Sequence, residues 1–158
     1  MKRALRIVLV VLSIIAALAQ FYPVERSNPP VRADLDAPPE VRKVLRSACY
    51  DCHSNETRWP WYSHVAPASW LVHKDVRRAR GEMNLSEWGL MRPKDRARLR
   101  EEMWEEIEAG NMPLPIYRLV HPGARLTEEQ RDVLRRWMLA NEYDPATGSP
   151  GGRGGRGP

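Results

Sequence analysis

The chain has 158 residues, about the size of one domain, and its formal charge of +5 sits at the ends, on Lys2, Arg3 and Arg6 and on Arg153 and Arg156. Between them 20 basic residues balance 20 acids, so the clustered basic face that phosphate binding needs is missing and no nucleic-acid partner is expected. From Pro23 onward only 22 of 136 residues are Leu, Ile or Val and none is Phe, a poverty in core formers that means either disorder or a centre filled by something other than side chains.

Taken in chain order, the three N-terminal basic residues precede the apolar run Ile7–Ala19, the layout of an export signal. Ala17-Leu18-Ala19 fits a cleavage site before Gln20. Alternatively Ala4–Tyr22, about 28 Å of helix, approaches the roughly 30 Å hydrocarbon core and serves as an uncleaved membrane anchor, with Phe21 and Tyr22 at the outer interface. Residues 1–22 are therefore an anchor or a signal peptide, and both readings put the rest of the chain on the periplasmic, extracytoplasmic side of the membrane. Residues 23–35, with Pro23, Pro29 and Pro30, read as an extended tether without a core, free to swing.

A domain is expected over 36–144. Asp36 is placed as the cap of a first helix whose apolar positions Val41, Val44, Leu45 and Ala48 run into Cys49. A second helix is expected from about Pro67 to Glu82, and a third from Pro93 to Ala109, with Leu99, Met103, Trp104 and Ile107 as its stripe and Gly110 as its stop. A fourth starts at Thr127, with Gln130 completing a capping box, and carries Val133, Leu134, Trp137 and Met138. Residues 145–158 are Gly, Pro and Arg rich and read as a disordered tail. No strand-like alternation appears, so the fold class is all-α.

Chemistry concentrates in Cys49-Tyr-Asp-Cys52-His53, the C-x-x-C-H pattern of covalent c-type haem and the only two cysteines of the chain. Two thiols three residues apart can each add to one vinyl group on the same porphyrin edge, and the next residue presents an imidazole to the iron. A redox-active dithiol, a zinc site and a plain disulfide are the competing readings. The first two each lack a companion signal: a βαβ setting for the dithiol, and further Cys or His at metal spacing for the zinc site. For the sixth iron ligand, Met112 lies in a proline-braced loop past a helix end, whereas Met103 and Met138 sit in helix stripes as core filler. Met83, Met91, His64, His73 and His121 are the other candidates. Arg58-Trp59-Pro60-Trp61-Tyr62 follows the motif, and Arg58, Trp61 and Tyr62 are candidates to donate hydrogen bonds to the haem propionates, with packing at the rim as the plainer reading. The six tryptophans, all after residue 58, suggest a shell around a flat cofactor.

With these residues in view, the chain resembles the haem-binding domain family of exported, cytochrome c-like bacterial proteins, over about Asp36 to Asn141. The matching stretches are Cys49-Tyr-Asp-Cys-His-Ser-Asn55, Arg58-Trp-Pro-Trp-Tyr-Ser63, Ala66-Pro-Ala-Ser-Trp70, Asn84-Leu-Ser-Glu-Trp88, Met112-Pro113 with Tyr117, and His121-Pro-Gly-Ala-Arg-Leu126. The chain departs from the family at Leu114, where a second proline is expected. The resemblance implies one haem c bound through Cys49 and Cys52, with His53 as proximal and Met112 as distal ligand. It names no substrate. The expected function is a monohaem c-type cytochrome that passes single electrons between redox partner proteins. The alternative is a haem-based sensor or peroxidase-like enzyme with a displaceable distal ligand. A porphyrin would also supply the missing apolar centre, so the haem-free domain is expected to be largely unfolded.

Overall fold

A computed structural model describes residues 2–140, 143–144 and 149–150 of the chain. Apart from a backbone pairing of Tyr143–Asp144 with Ser149–Pro150, its regular structure is helical. The tail expected over 145–158 otherwise falls outside the described residues.

Helix α1 (Lys2–Ala19) buries none of its residues. Among the described residues, no helix is long and apolar enough to cross a membrane, which corrects the uncleaved-anchor expectation. The reason is local. Lys2, Arg3 and Arg6 occupy the first turns, and Ile7–Ala19 alone makes about 20 Å of helix against a core of roughly 30 Å.

Helix α2 (Pro39–Ala48) buries Val41, Val44, Leu45 and Ala48, the expected face. Its cap position is taken by Pro38 without a side-chain hydrogen bond, so Asp36 is not the cap; two prolines pre-set the entry dihedral instead. Tyr50–His53 forms the single turn α3, and Trp61–His64 a 3-10 turn. Helix α4 (Ala68–Glu82) follows, and then a 3-10 turn over Leu85–Leu90, capped by the Asn84 side chain, which accepts from the Ser86 amide. Helix α5 (Pro93–Glu108) stops where Gly110 takes φ +76°, a left-handed value that suits glycine. The short α6 (Pro115–Val120) was not expected, because six residues carry too little periodicity to be seen. Helix α7 (Glu128–Met138) begins with both reciprocal bonds of the Thr127–Gln130 capping box in place.

The core lies among α2, α5, α7 and the Leu85–Leu90 turn. Val41, Leu45, Leu85, Leu134 and Met138 are nearly or wholly excluded from solvent, and Trp88, Trp104 and Trp137 pack with them. Trp88 and Trp137 rings lie 6.2 Å apart.

Residues 23–35 are extended but not a free tether. Asn28 donates to the Thr57 carbonyl at 2.9 Å, and the amides of Arg32 and Ala33 both donate to the Ser86 carbonyl. Leu35 is buried in the core. The Gly89 amide returns a bond to the Ala33 carbonyl, and a Cβ at Gly89 would meet the Ala33 Cβ at 3.0 Å, so the strap lies tight against the domain. The swinging-tether expectation is corrected by these bonds: proline content specified extension, but partners distant in sequence specified docking.

Candidate functional site

The C-x-x-C-H motif folds as a continuation of α2. Cys49 N–H donates to the Leu45 carbonyl, and the amides of Cys52 and His53 both donate to the Cys49 carbonyl, which winds the motif into one helical turn. Cys49 and Cys52, three apart on that turn, project to the same side.

Both cysteines are free thiols. Burial pushes Cys49 up to about 12, with the neighbouring Cys52 adding to it. Burial, with Asp51 and Asp75 nearby, pushes Cys52 up to about 11. A redox-active dithiol needs the opposite shift, so this environment keeps both groups protonated at neutral pH. Among the described residues no group of three or more His, Cys, Asp or Glu side chains gathers to hold a metal ion, which leaves a zinc site without its ligand set.

His53 Nδ1 lies 3.2 Å from the Met83 carbonyl. A carbonyl only accepts, so Nδ1 carries the proton and Nε2 keeps a free lone pair. Burial lowers the His53 pKa, favouring the neutral imidazole that binds iron.

A clamp of buried polar groups holds the chain just past the motif. Ser54 Oγ donates to the Tyr50 carbonyl at 2.7 Å, the Asn55 amide donates to Ser86 Oγ, and Asn84 Nδ2 donates to Asn55 Oδ1. Arg80 donates to the Ser54 carbonyl, to Thr57 Oγ1 and to the Ser27 and Asn28 groups of the N-terminal strap. Residue-by-residue reading missed this clamp, since hydrogen-bonding polar residues leave no periodic trace. Its only signal is that Ser54-Asn55 and Asn84–Trp88 recur among the stretches of the resemblance.

Opposite the motif, the loop after α5 is pinned at both ends. The amides of Asn111 and Met112 share the Glu106 carbonyl at 3.0 Å each, and the Arg118 guanidinium donates to the Gly110 carbonyl. Between these walls lies a cleft of about 680 Å³, to which Cys49, Cys52, His53 and Met112 all contribute. That volume falls within the roughly 300–1,000 Å³ of cofactor sites. Its donor set, two thiols, one neutral imidazole and thioethers, is the set that holds haem c.

The other expectations divide. Met83 and Met103 also line the cleft, so Met103 is not mere core filler; Met138 is buried in the core and Met91 packs against it. His64, His73 and His121 do not line it. No tryptophan does either, which corrects the expected aromatic shell: Trp88, Trp104 and Trp137 serve the core, and Trp61 is 78% exposed.

Arg58 and Tyr62 line a small pocket of about 90 Å³ that adjoins the cleft and shares Cys52, Asp75, Leu114 and Tyr117 with it. Both side chains already have partners. Asp51 receives Arg58 Nε and Nη2 at 3.1 and 3.2 Å and the Tyr117 hydroxyl at 2.8 Å. The Tyr62 hydroxyl lies 2.7 Å from His121 Nε2, and His121 stacks on Tyr117 at 4.2 Å between centroids. Arg58, Trp61 and Tyr62 thus sit apart from the large cleft, while Tyr117 borders both cavities.

No curated protein and no solved structure matches the chain. A family model, the haem-binding domain, matches residues 14–140. A match over most of the chain, around a cleft whose donors suit haem, establishes that this protein belongs to the haem-binding domain family.

Proposed function

We propose that the protein is a monohaem c-type cytochrome that carries single electrons between redox partner proteins outside the cytoplasm. The observation that carries this reading is the convergence of Cys49, Cys52, His53 and Met112 on one cleft. Bound there, the haem would supply the one-electron iron couple. The chain's own residues do the rest. Cys49 and Cys52 would hold the vinyl edge, and the Met83 carbonyl, by taking the Nδ1 proton of His53, would leave Nε2 to bind iron. The loop held at the Glu106 carbonyl would supply the Met112 thioether as the second donor to iron. With His53 and Met112 both bound to iron, no coordination position would be left for a substrate, which would favour electron carriage over catalysis, and a Met/His pair would raise the potential.

Export is supported by the basic start followed by the apolar run Ile7–Ala19, whose thirteen residues fit a signal's apolar core of roughly 7–15. Cleavage after Ala19 would leave Gln20 as the mature N-terminus.

A reduced-minus-oxidised spectrum of the purified protein tests the reading. A c-type α band that survives acid-acetone extraction is expected; extractable haem, or none, overturns covalent attachment. Reduced wild type should not bind carbon monoxide readily, and Met112→Ala should. Ready binding by wild type would favour a sensor or peroxidase-like enzyme. Met103→Ala is the matched control, because it sits on the same cleft but in helix α5.

A further inference from the structure

We infer that Tyr117, His121, Tyr62 and Trp61 form the route by which an electron passes between the cleft and a redox partner protein, with Trp61 as the point of contact. This rests on the haem c reading above. Tyr117 on α6 is the one aromatic ring, besides the His53 imidazole, among the described residues that line the cleft. It is therefore the side chain through which a flat π-system bound in the cleft can couple to rings farther out.

From Tyr117 the contacts run to the surface without a break. Its ring stacks on His121, 18° from parallel with centroids 4.2 Å apart. His121 Nε2 shares a hydrogen bond of 2.7 Å with the Tyr62 hydroxyl, and the Tyr62 ring meets Trp61 edge-on at 5.8 Å. Trp61 is largely exposed. A lone exposed tryptophan is ordinary, but this one ends a series of contacting rings that begins at the cleft. The series also gives a joint role to Trp61, Tyr62 and His121, none of which lines the cleft.

The rings are fixed in place and stay neutral. The Tyr117 hydroxyl donates to Asp51 Oδ2 at 2.8 Å, and both oxygens of Asp51 are held in turn by Arg58. Tyr117, His121 and Tyr62 line the small pocket together with Leu71, Ile116 and Val120, which give it a largely apolar wall. Burial, helped by Asp51, pushes the Tyr117 hydroxyl up, and burial does the same to Tyr62, so both phenols keep their protons at neutral pH. No proton has to move, and the four side chains keep their own electrons. One electron leaves Fe(II), which becomes Fe(III), and the oxidised one-electron partner at Trp61 takes it up; transfer in the other direction uses the same contacts.

The test uses the haem-loaded protein with a ruthenium polypyridyl photo-oxidant on one imidazole. His64 closes the 3-10 turn that Trp61 opens, and residues three apart eclipse on such a turn, so a label there stands beside Trp61. His73 on α4, whose Nδ1 lies 2.7 Å from the Glu25 carbonyl, has no part in the series and is the comparison site. Each is labelled singly, with the other removed as His73→Gln or His64→Gln. After flash oxidation of the label, the electron returning from Fe(II) is timed by haem absorbance, and each variant's reduction potential is measured so that rates are compared at equal driving force. Tyr62→Leu, His121→Leu and Trp61→Leu should each slow transfer to the His64 label severalfold and leave transfer to the His73 label unchanged. Tyr62→Phe, which keeps the ring, should slow it less than Tyr62→Leu. Independently of any transfer, proton NMR of the reduced protein should show a porphyrin ring-current shift on the Tyr117 ring. Transfer to the His64 label that ignores all three leucine variants, slowing common to both labels, or a Tyr117 ring without that shift overturns the inference alone. A wild-type protein without covalent haem overturns the haem c reading, and this inference with it.

Discussion

The two halves of the domain are built from different materials. On one side, α2, α5, α7 and the Leu85–Leu90 turn enclose a conventional core of Val41, Leu45, Leu134, Met138 and three tryptophans, with Leu45, Leu85 and Leu134 showing no exposed surface at all. On the other, α3, α4 and the Met112 loop surround a cleft of about 680 Å³. Helix α5 serves both: Trp104 and Ile107 are buried in the core, Leu99 and Met103 pack against it, and Leu99, Met103 and Ile107 also line the cleft. Buried Leu, Ile and Val side chains such as Val41, Leu45, Leu85 and Leu134 gather in the first half, whereas the polar clamp of Ser54, Asn55, Arg80, Asn84 and Ser86 braces the second.

The contrast between halves can be broken most forcefully by removing the haem attachment. Without a porphyrin the apolar side chains of the cleft wall, Leu99, Met103, Ile107, Met112 and Leu126, would face water instead of a flat apolar partner. The Cys49→Ser/Cys52→Ser double variant should therefore melt about 20 °C lower or lose a cooperative transition altogether, as read by circular dichroism. A compact variant melting like wild type would show that the side-chain core suffices on its own.

Leu134→Ala strikes the other half. It should cost about 3 kcal/mol in denaturant unfolding while leaving the haem spectrum unchanged, because Leu134 is buried in the core and does not line the cleft. A shifted α band would mean that the halves are mechanically coupled.

Arg80→Gln sharpens the comparison from the cleft side. Four hydrogen bonds between the post-motif chain and the N-terminal strap depend on that guanidinium, so a loss of about 2 kcal/mol is expected, with faster proteolysis within residues 23–33. Unchanged proteolysis would show that the Asn28–Thr57 and Ala33–Ser86 bonds hold the strap without it. Thr127→Ala should have the smallest effect, about 1 kcal/mol from the capping box, with no spectral change.

Much was legible in the residues where physics is local. The buried faces of α2 and α7, the Thr127 cap and the Gly110 stop all follow from contacts within four or five positions, and so does the turn that aligns Cys49, Cys52 and His53. Asp36 was misplaced as a cap because two prolines can start a helix without a side-chain bond. Local sequence also bounds the apolar stretch of α1, since it is the count of residues after Arg6 that decides its length.

What only tertiary structure decided is which distant groups meet. Arg58 lies near the motif in sequence, yet its guanidinium is paired with Asp51, and it lines the small pocket and not the large cleft. Met103 has the spacing of a core residue and packs against the core, yet it also borders the cleft, which its spacing does not announce. The strap reads as a linker, yet Thr57 and Ser86 hold it down. Periodicity reports which face of an element is apolar, but a polar side chain's partner is chosen by geometry across tens of residues, and no spacing along the chain encodes that choice.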